Sequence, residues 1–222
     1  MARGPRRSAA RQDGAATRAG LLEAAGAVFA EVGFDRATAK EIARRAGTNA
    51  AAVNYHFGGI EPLYEAVLAE AHRRLMSYEL LIQTIGAEGD PKDKLRRVIG
   101  LLVRVVRAES NMSWPAKAIV REIISPTPHI EKLRREELDP KKALIFGLIS
   151  EIMGRSPDDP LVAQAMLSTM APCLMLLVAE QRLSEVIPDL ARTAVSDETL
   201  AERLASFALG GLARLSADAA AG

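Results

Sequence analysis

The chain has 222 residues, of which 49% are hydrophobic, 26% are charged and 4% are aromatic, a composition typical of globular proteins. The formal net charge of +1 neither indicates nor excludes a polyanionic partner. The distribution of charge along the chain is more informative about such a partner. Cys173 is the only cysteine, which excludes an intramolecular disulfide and the cysteine-based zinc motifs.

The first twenty residues are strongly basic. They contain Arg3, Arg6, Arg7, Arg11 and Arg18 and one acid, Asp13. We predict that residues 1–12 form a disordered basic arm. Such an arm is either a local electrostatic footprint for a polyanion or a solubilising tail, and composition does not separate the two.

The rest of the chain is predicted to be helical throughout, because no run of β-branched residues alternates with period two between hairpin turns. The first helix is expected over about 13–32, with an apolar stripe that ends at Gly33. A capping box, Thr38-Ala39-Lys40-Glu41, opens a second helix that Gly47 ends. The sequence therefore predicts an all-α fold.

A third short helix follows, capped by Thr48 or Asn49 and ending at Phe57 before Gly58-Gly59. Two short helices joined by a glycine-containing turn, after a longer helix, form the helix-turn-helix pattern. We therefore predict a three-helix DNA-binding domain over 13–60. A fourth helix, with Pro62 in its first turn, opens the next domain.

The second part of the chain is predicted to be a larger helical regulatory and dimerisation domain over 61–216. Helices are expected to start at Asp90-Pro91, Ser113-Trp114 and Asp139-Pro140, and two long helices to cover 161–183 and 197–216. Residues 217–222 are expected to be a disordered tail. No internal repeat is found.

The stretch 161–179 carries no charge over 19 residues, which is long enough for a membrane span. It contains Pro172 and three polar residues, and it lacks aromatic belts and basic flanks. We interpret it as a helix buried on most sides, as in a subunit interface, and we predict no membrane partner.

The segment "AGTNAAAVNYHF" at 46–57 crowds two asparagines, a tyrosine and a histidine among small residues. Asparagine can pair with adenine through two hydrogen bonds in the major groove, and alanines let a helix approach the duplex closely. A capped surface helix with one buried tyrosine fits the same composition, so the residues alone leave both interpretations open.

Residues 37–64, "ATAKEIARRAGTNAAAVNYHFGGIEPLY", resemble the DNA-binding signature of the tetracycline-repressor (TetR) family. The resemblance implies phosphate contacts from the second helix, base-edge or nearby backbone contacts from the third, and a phosphate clamp at its end. Ile60 stands where the family usually has a phosphate-binding lysine. The residues implied for phosphate contacts from the second helix are Thr38 and Lys40. Those implied for base-edge or nearby backbone contacts are Thr48, Asn49, Ala50 and Asn54, and those implied for the phosphate clamp are Tyr55 and His56.

In the second half, Trp114, "REIISPTP" and "LDP" resemble the C-terminal domain of the YbiH/CecR-type branch of this family. The family plan implies a ligand pocket and a homodimer formed by the last two long helices, 161–183 and 197–216. The residues expected in that interface are Met166, Met170, Leu174, Leu177, Leu204 and Phe207.

A small-molecule pocket is predicted from adaptable apolar side chains. Methionines that only fill a core short of aromatics are the alternative, and the Arg121-Glu122 pair is either a polar handle, a solvated face or an internal ion pair. The cations of 139–183 lie near predicted helix ends, so we expect a hydrophobic inducer and not a sugar phosphate or nucleotide. The candidate ligand-binding residues are Met112, Trp114, Arg121, Met153 and Met170.

Catalysis is not predicted. The three histidines are dispersed and none has metal-ligand spacing, Cys173 lies in an apolar helix, and no phosphate-binding loop or nucleophile elbow is found. We expect no metal and no cofactor. The sequence predicts a cytoplasmic, ligand-responsive transcriptional regulator, most simply a repressor that leaves a palindromic operator when an inducer binds. An architectural DNA-binding protein and an enzyme are the alternatives.

Overall fold

The computed structural model describes the backbone of residues 5–108, 113–187 and 195–218, and the side chains of 13–108, 113–178, 187 and 195–217. All regular secondary structure within those ranges is helical, which confirms the all-α prediction. In chain order the α-helices are α1 Pro5–Val32, α2 Ala39–Arg45, α3 Ala51–Phe57, α4 Ile60–Leu75, α5 Tyr78–Ile85, α6 Pro91–Ala108, α7 Trp114–Ile124, α8 Ile130–Leu133, α9 Asp139–Met153, α10 Pro160–Val186 and α11 Asp197–Asp218.

The chain divides into two compact units that are not contiguous in sequence. The first unit combines Met1–Leu75 with Met112–Arg135, and the second combines Met76–Asn111 with Glu136–Gly222. The domain boundary predicted after residue 60 does not coincide with this division. Helix α4 buries Leu63, Tyr64, Val67 and Leu68 and packs on both α1 and α7, so it belongs with the helices that precede it.

Helix α1 begins at Pro5, earlier than the predicted start at Asp13, so the backbone of 5–12 is helical where a disordered arm was predicted. Proline suits the first turn of a helix, because backbone N–H groups there have no partner within the helix and the lack of one costs nothing. The alanines and arginines that follow are good helix formers. The predicted apolar stripe is confirmed, since Leu21, Ala25, Val28 and Phe29 are buried. At the other end of the chain, α11 continues to Asp218, and 219–222 of the predicted tail lie outside the described residues.

The core of the second unit is aliphatic, as the scarcity of aromatic residues predicted. Helices α5, α6, α9, α10 and α11 each contribute to it. Its buried members are Leu81, Leu95, Val98, Ile99, Val103, Ile145, Leu148, Ile149, Met153, Val162, Ala165, Cys173, Ala205 and Leu212.

A π-helical turn, Arg134–Leu138, precedes α9, where the sequence predicted only a helix start at Asp139-Pro140. Pro140 has no N–H to donate to the carbonyl of Glu136 four residues earlier, and its ring crowds that carbonyl. A wider turn relieves the clash, so α8 continues into α9 without an intervening loop.

Candidate functional site

Helix α2 is capped by Thr38, as predicted. Thr38 has extended backbone angles, and its hydroxyl oxygen accepts the backbone N–H of Glu41 at 3.2 Å. The Glu41 carboxylate does not return the bond to Thr38; it accepts from Arg44 at 2.7 and 2.8 Å and from Arg45 at 2.8 Å. The two guanidinium groups, Arg44 first, lower the pKa of Glu41 from 4.5 to about 2. Thr38 and the nearby Lys40 remain exposed.

Arg45 fixes α2 on α1. Its terminal nitrogens donate to both carboxylate oxygens of Glu31 at 2.8 and 2.9 Å, and the hydrogen bonds from Arg45 hold the pKa of Glu31 below its ordinary value. Ile42 and Ala43 are buried on the inner side of α2. The second helix is therefore held by a packed inner face and a charged pair at its rim.

The turn after α2 has the geometry of a Schellman motif. Gly47 takes a left-handed φ of 66°, its N–H donates to the Arg44 carbonyl at 3.2 Å, and the Thr48 N–H donates to the Ala43 carbonyl at 2.9 Å. The turn therefore fixes the angle between α2 and α3. Thr48 is half-buried there.

Asn49 caps α3 through its side chain, whose amide oxygen accepts the backbone N–H of Ala52 at 3.1 Å. Val53 is fully buried on the inner side of the helix. Asn49, Ala50, Ala51 and Asn54 are exposed, and Ala50 and Asn54 lie on one face because they are four residues apart. The short helix thus presents two amides and two methyl groups outward.

The end of α3 carries the two aromatic side chains assigned to phosphate. Tyr55 is 85% exposed, and its ring lies edge-on to the half-buried His56 ring, with centroids 4.9 Å apart. Phe57 is covered by the Arg18 guanidinium of α1, 4.5 Å above its ring. Gly58 then ends the helix with a left-handed φ of 85°.

The predicted DNA-binding residues lie within two consecutive short helices of one unit or in the residues that directly precede each helix. An exposed helix with small residues and asparagines has the chemistry needed to read base edges. The exposed hydroxyl and ammonium groups and the half-buried imidazole suit phosphates. Ile60, half-buried at the start of α4, supplies no such group.

The predicted ligand-binding residues do not form one site within either unit. Trp114 and Arg121 belong to the first unit, Met153 is buried in the core of the second, and Met170 is partly buried against that core. Met112 lies outside the described residues. Arg121 donates to the carbonyl oxygens of Ala30 and Glu31 at 3.4 and 3.3 Å, so it caps the end of α1.

Arg121 also lines an open groove of about 300 Å³ in the first unit. Of the three alternatives left open for Arg121-Glu122, an ion pair between the two is not observed, because Arg121 donates to the Ala30 and Glu31 carbonyls and Glu122 accepts from Tyr64 and Thr127. Glu122 points inward instead and is 2% exposed. The groove is lined by Ala30, Lys117, Val120, Arg121, Ile124 and Ser125.

The predicted dimer interface residues lie on α10 and α11 of the second unit. Leu174 is 45% exposed and Phe207 is 79% exposed, whereas Met166, Met170 and Leu204 pack partly against the core of their own unit. Leu177 is half-buried. The stretch Pro160–Val178 is long and apolar enough to cross a membrane, and 22% of it is buried inside the chain. An apolar surface is therefore left uncovered on the single chain.

Two sequence models of protein families match the chain. Residues 21–67 match the model described as bacterial regulatory proteins, tetR family. Residues 91–212 match the model described as the C-terminal domain of the HTH-type transcriptional dual regulator CecR. A comparison with curated proteins found no match.

Solved structures share the fold at low sequence identity. The transcriptional regulator FadR from Bacillus subtilis, in complex with stearoyl-CoA, has a TM-score of 0.64 at 18% identity, covering 86% of this chain and 97% of that chain. The fatty acid degradation regulator FadR from Bacillus halodurans has a TM-score of 0.63 at 18% identity, covering 88% and 96%. NalD, the secondary repressor of the MexAB-OprM multidrug efflux pump in Pseudomonas aeruginosa, has a TM-score of 0.59 at 20% identity, covering 90% and 97%.

The matched sequence models extend over both the helix-turn-helix and most of the following helical part. The helix-turn-helix formed by α2 and α3, the helical architecture and these matches agree with one another. The chain belongs to the TetR family of bacterial DNA-binding transcriptional regulators, with a C-terminal domain of the CecR type.

Proposed function

We propose that the chain is a sequence-specific, ligand-responsive regulator, most simply a repressor, that binds operator DNA through α3. The observation that supports this most is the face of α3, which exposes Asn49, Ala50 and Asn54 while Val53 anchors the helix inward. Recognition helices place their first residues against base edges in the major groove. In this proposal Asn54 forms hydrogen bonds with base edges, and Asn49 donates to base acceptors through its amide N–H groups.

The remaining predicted residues hold the sugar-phosphate backbone. Thr38 and Lys40 lie exposed at the start of α2, and Tyr55 is the most exposed large side chain of α3. Hydroxyl, ammonium and imidazole groups bind phosphate oxygens without reading sequence. Thr38, Lys40, Tyr55 and His56 therefore set affinity and register, while the asparagines set base preference.

We propose a homodimer formed by the exposed apolar side chains of α10 and α11. Leu167, Leu174 and Met175 on α10 and Phe207 on α11 are 45–79% exposed, and exposed apolar patches of this kind are typical of interfaces. A two-fold dimer binds a pseudo-palindromic operator with half-sites about one helical turn apart. This interface accounts for the apolar stretch without a membrane, in agreement with a cytoplasmic protein.

The inducer is proposed to be a drug-sized, largely hydrophobic molecule. The described cations of 139–178 all pair with carboxylates of the chain. The buried Lys141 pairs with Glu137 at 3.1 Å, Lys142 with Asp139 at 3.7 Å and Arg155 with Asp159 at 2.6 Å. FadR from Bacillus subtilis, which shares this fold, is in complex with stearoyl-CoA, a ligand that joins a long apolar acyl chain to a charged nucleotide; the acyl chain supports an apolar inducer. A thermal-shift screen of hydrophobic antibiotics, dyes and acyl compounds tests this, and stabilisation by multiply charged anions alone would contradict it.

Release of the operator by an inducer has a reciprocal effect that can be measured. If an inducer lowers operator affinity by some factor, operator DNA must lower inducer affinity by the same factor. Titrating a stabilising compound against the free protein and against the protein–operator complex measures both sides of this coupling. Equal affinities for the two forms would show that the compound is not an inducer.

Footprinting on the DNA that flanks the gene of this chain tests the proposed function. We expect protection of one pseudo-palindrome. Weak, uniform binding along the fragment would favour an architectural DNA-binding protein. An enzyme remains the least supported alternative, because the regulator family accounts for the matched segments of the chain.

A further inference from the structure

A buried carboxylate joins two helices of the first unit. Glu122, on α7, is 2% exposed. One of its oxygens accepts the Tyr64 hydroxyl of α4 at 2.7 Å. The other accepts both the backbone N–H and the hydroxyl of Thr127, at 2.7 and 2.9 Å. Burying a carboxylate is costly unless its oxygens are hydrogen-bonded, and this network meets that requirement with three donors.

The Tyr64 ring is held as firmly as its hydroxyl. Its centroid lies 4.8 Å from that of Phe29 on α1 and 4.9 Å from that of Phe34 in the α1–α2 connection. The His129 ring packs 4.7 Å from Phe34. Burial and the bond to Glu122 raise the pKa of Tyr64 well above its ordinary value, so the hydroxyl stays a donor. Tyr64 is therefore fixed between α1 and α7.

The far end of α4 is tied to the same two helices. Arg74 pairs with Glu23 of α1 and with Glu70 of α4, and its guanidinium lies 5.0 Å over the Trp114 ring of α7. The Trp114 indole N–H donates to Glu23 at 2.9 Å. The ring also lies against Gly26, where a Cβ atom would be 2.5 Å from it. Both ends of α4 are thus held by α1 together with α7.

Helix α4 follows the recognition helix after only Gly58 and Gly59, and α3 packs against it. Any rotation of α4 on α1 would therefore carry α3 with it. Aliphatic contacts alone permit several orientations of similar energy, whereas a satisfied buried polar network favours one. Since its oxygens already have protein donors, Glu122 is not a ligand handle.

We infer that Glu122 is a positioning residue for DNA recognition, acting through Tyr64 and α4 on the orientation of α3. The inference rests on the proposed function, and it assigns 113–135 a role in sequence reading although no residue there was predicted to contact DNA. The segment lies within the stretch that matches the CecR C-terminal domain, yet it folds with the helix-turn-helix.

The test uses the full-length dimer and compares affinity for the operator with affinity for a scrambled duplex. Tyr64→Phe keeps the ring and removes only the donor to Glu122. We expect its operator affinity to fall roughly tenfold, which corresponds to one hydrogen bond to a charged group, and its affinity for scrambled DNA to change much less. Tyr78→Phe, at an exposed tyrosine of α5, is the matched control and should leave both affinities unchanged.

The ratio of the two affinities separates positioning from stability. A purely structural role lowers the folded fraction and reduces both affinities by the same factor, leaving their ratio constant. Glu122→Ala should lower the ratio at least as much as Tyr64→Phe. Glu122→Gln should restore most of it, because the amide oxygen still accepts from Thr127 and the amide nitrogen can donate to the tyrosine oxygen.

The outcomes are distinguishable. A wild-type protein without preference for any operator would overturn the proposed function and this inference together. A wild type with clear preference, and a Tyr64→Phe variant whose ratio equals that of the wild type, would overturn only the inference. If Glu122→Ala fails to fold, Tyr64→Phe and Thr127→Val still test the positioning role of Glu122, since each removes one hydroxyl donor and leaves the carboxylate in place.

Discussion

The side-chain oxygen of Asn49 accepts the backbone N–H of Ala52 at 3.1 Å, so this residue caps the helix that it was predicted to use for reading DNA. A bidentate contact with adenine needs both the oxygen and the nitrogen of the amide. With the oxygen committed to α3, only the N–H groups of Asn49 are available, and these suit acceptors such as guanine O6 and N7 or thymine O4. Asn54 is the better candidate for a bidentate adenine contact.

Substitutions at Asn49 should separate its role as the cap of α3 from its role in recognising operator bases. Asn49→Ala removes both roles and should lower the free energy of unfolding by about 1 kcal/mol, while Asn49→Ser keeps a capping oxygen and should retain stability. Both variants should lose preference at the same operator position. Chemical unfolding and binding-site selection measure the two effects. A serine variant with wild-type base preference would remove Asn49 from the reading surface.

Asn54→Ala should cost on the order of 1–3 kcal/mol of operator binding and relax base preference. Tyr55→Phe and His56→Ala should instead weaken binding to every sequence alike, because phosphate contacts carry no sequence information. Tyr55 is 85% exposed, so its variant should keep the stability of the wild type. Fluorescence anisotropy on operator and scrambled duplexes distinguishes base contacts from phosphate contacts. Equal losses of affinity on both duplexes for Asn54→Ala would contradict a base contact by Asn54.

Local signals predicted the helix-turn-helix well. Thr38, Gly47 and Gly58 act at the helix ends where the pattern placed them, because caps and left-handed turns depend on neighbours within a few residues. The Thr38–Glu41 capping box is only half formed, since Glu41 finds stronger charged partners in Arg44 and Arg45. Competition of that kind is decided by side-chain geometry, which the spacing does not encode.

The position of 113–135 was not predictable from the same signals. Helix α7 packs on α1 and α4, which are distant in sequence, and an apolar stripe does not say which helix covers it. The available signal was the pair of charged residues, Arg121-Glu122, inside the apolar run "AIVREII". The two side chains bond to different partners, since Arg121 donates to the end of α1 and Glu122 accepts from Tyr64.

The dimer prediction is tested most cleanly at the exposed residues of the apolar surface. Leu174→Asp or Phe207→Asp should abolish the dimer in light scattering, because a charge buried in an apolar interface lacks a partner. Met170 is less suitable, since it also packs against the core of its own unit. Gln83→Asp, at an exposed polar position of α5 outside the proposed interface, is the matched control. A folded dimer in both leucine and phenylalanine variants would move the interface elsewhere.

The N-terminal arm is predicted to contribute phosphate contacts. Deleting residues 1–11 removes Arg3, Arg6, Arg7 and Arg11. Each lost phosphate contact should flatten the slope of log affinity against log salt by about 0.9. Titrations at several salt concentrations measure the slope for both proteins. An identical slope would mean that the arm is a solubilising tail.

Acid should remove the contribution of the Glu41 pairs. The folded-state pKa of about 2 lies below the ordinary 4.5, so Glu41 contributes stability that is present above pH 4.5 and is lost as the pH falls through about 2. Glu41→Gln should therefore unfold at lower denaturant than the wild type at about pH 7, and the difference should vanish near pH 2. A difference that is independent of pH would assign the effect to packing.

A comparison of two titrations tests whether a dimer reads sequence through two copies of α3. The wild-type protein is titrated on its footprinted palindrome and on the same duplex with one half-site scrambled, at one fixed salt concentration. Scrambling one half-site should lower affinity by about thirtyfold or more, because it removes one of the two sets of base contacts that together make specific binding about 10³–10⁷-fold tighter than non-specific binding. Equal affinities for the two duplexes would contradict reading by two copies of α3.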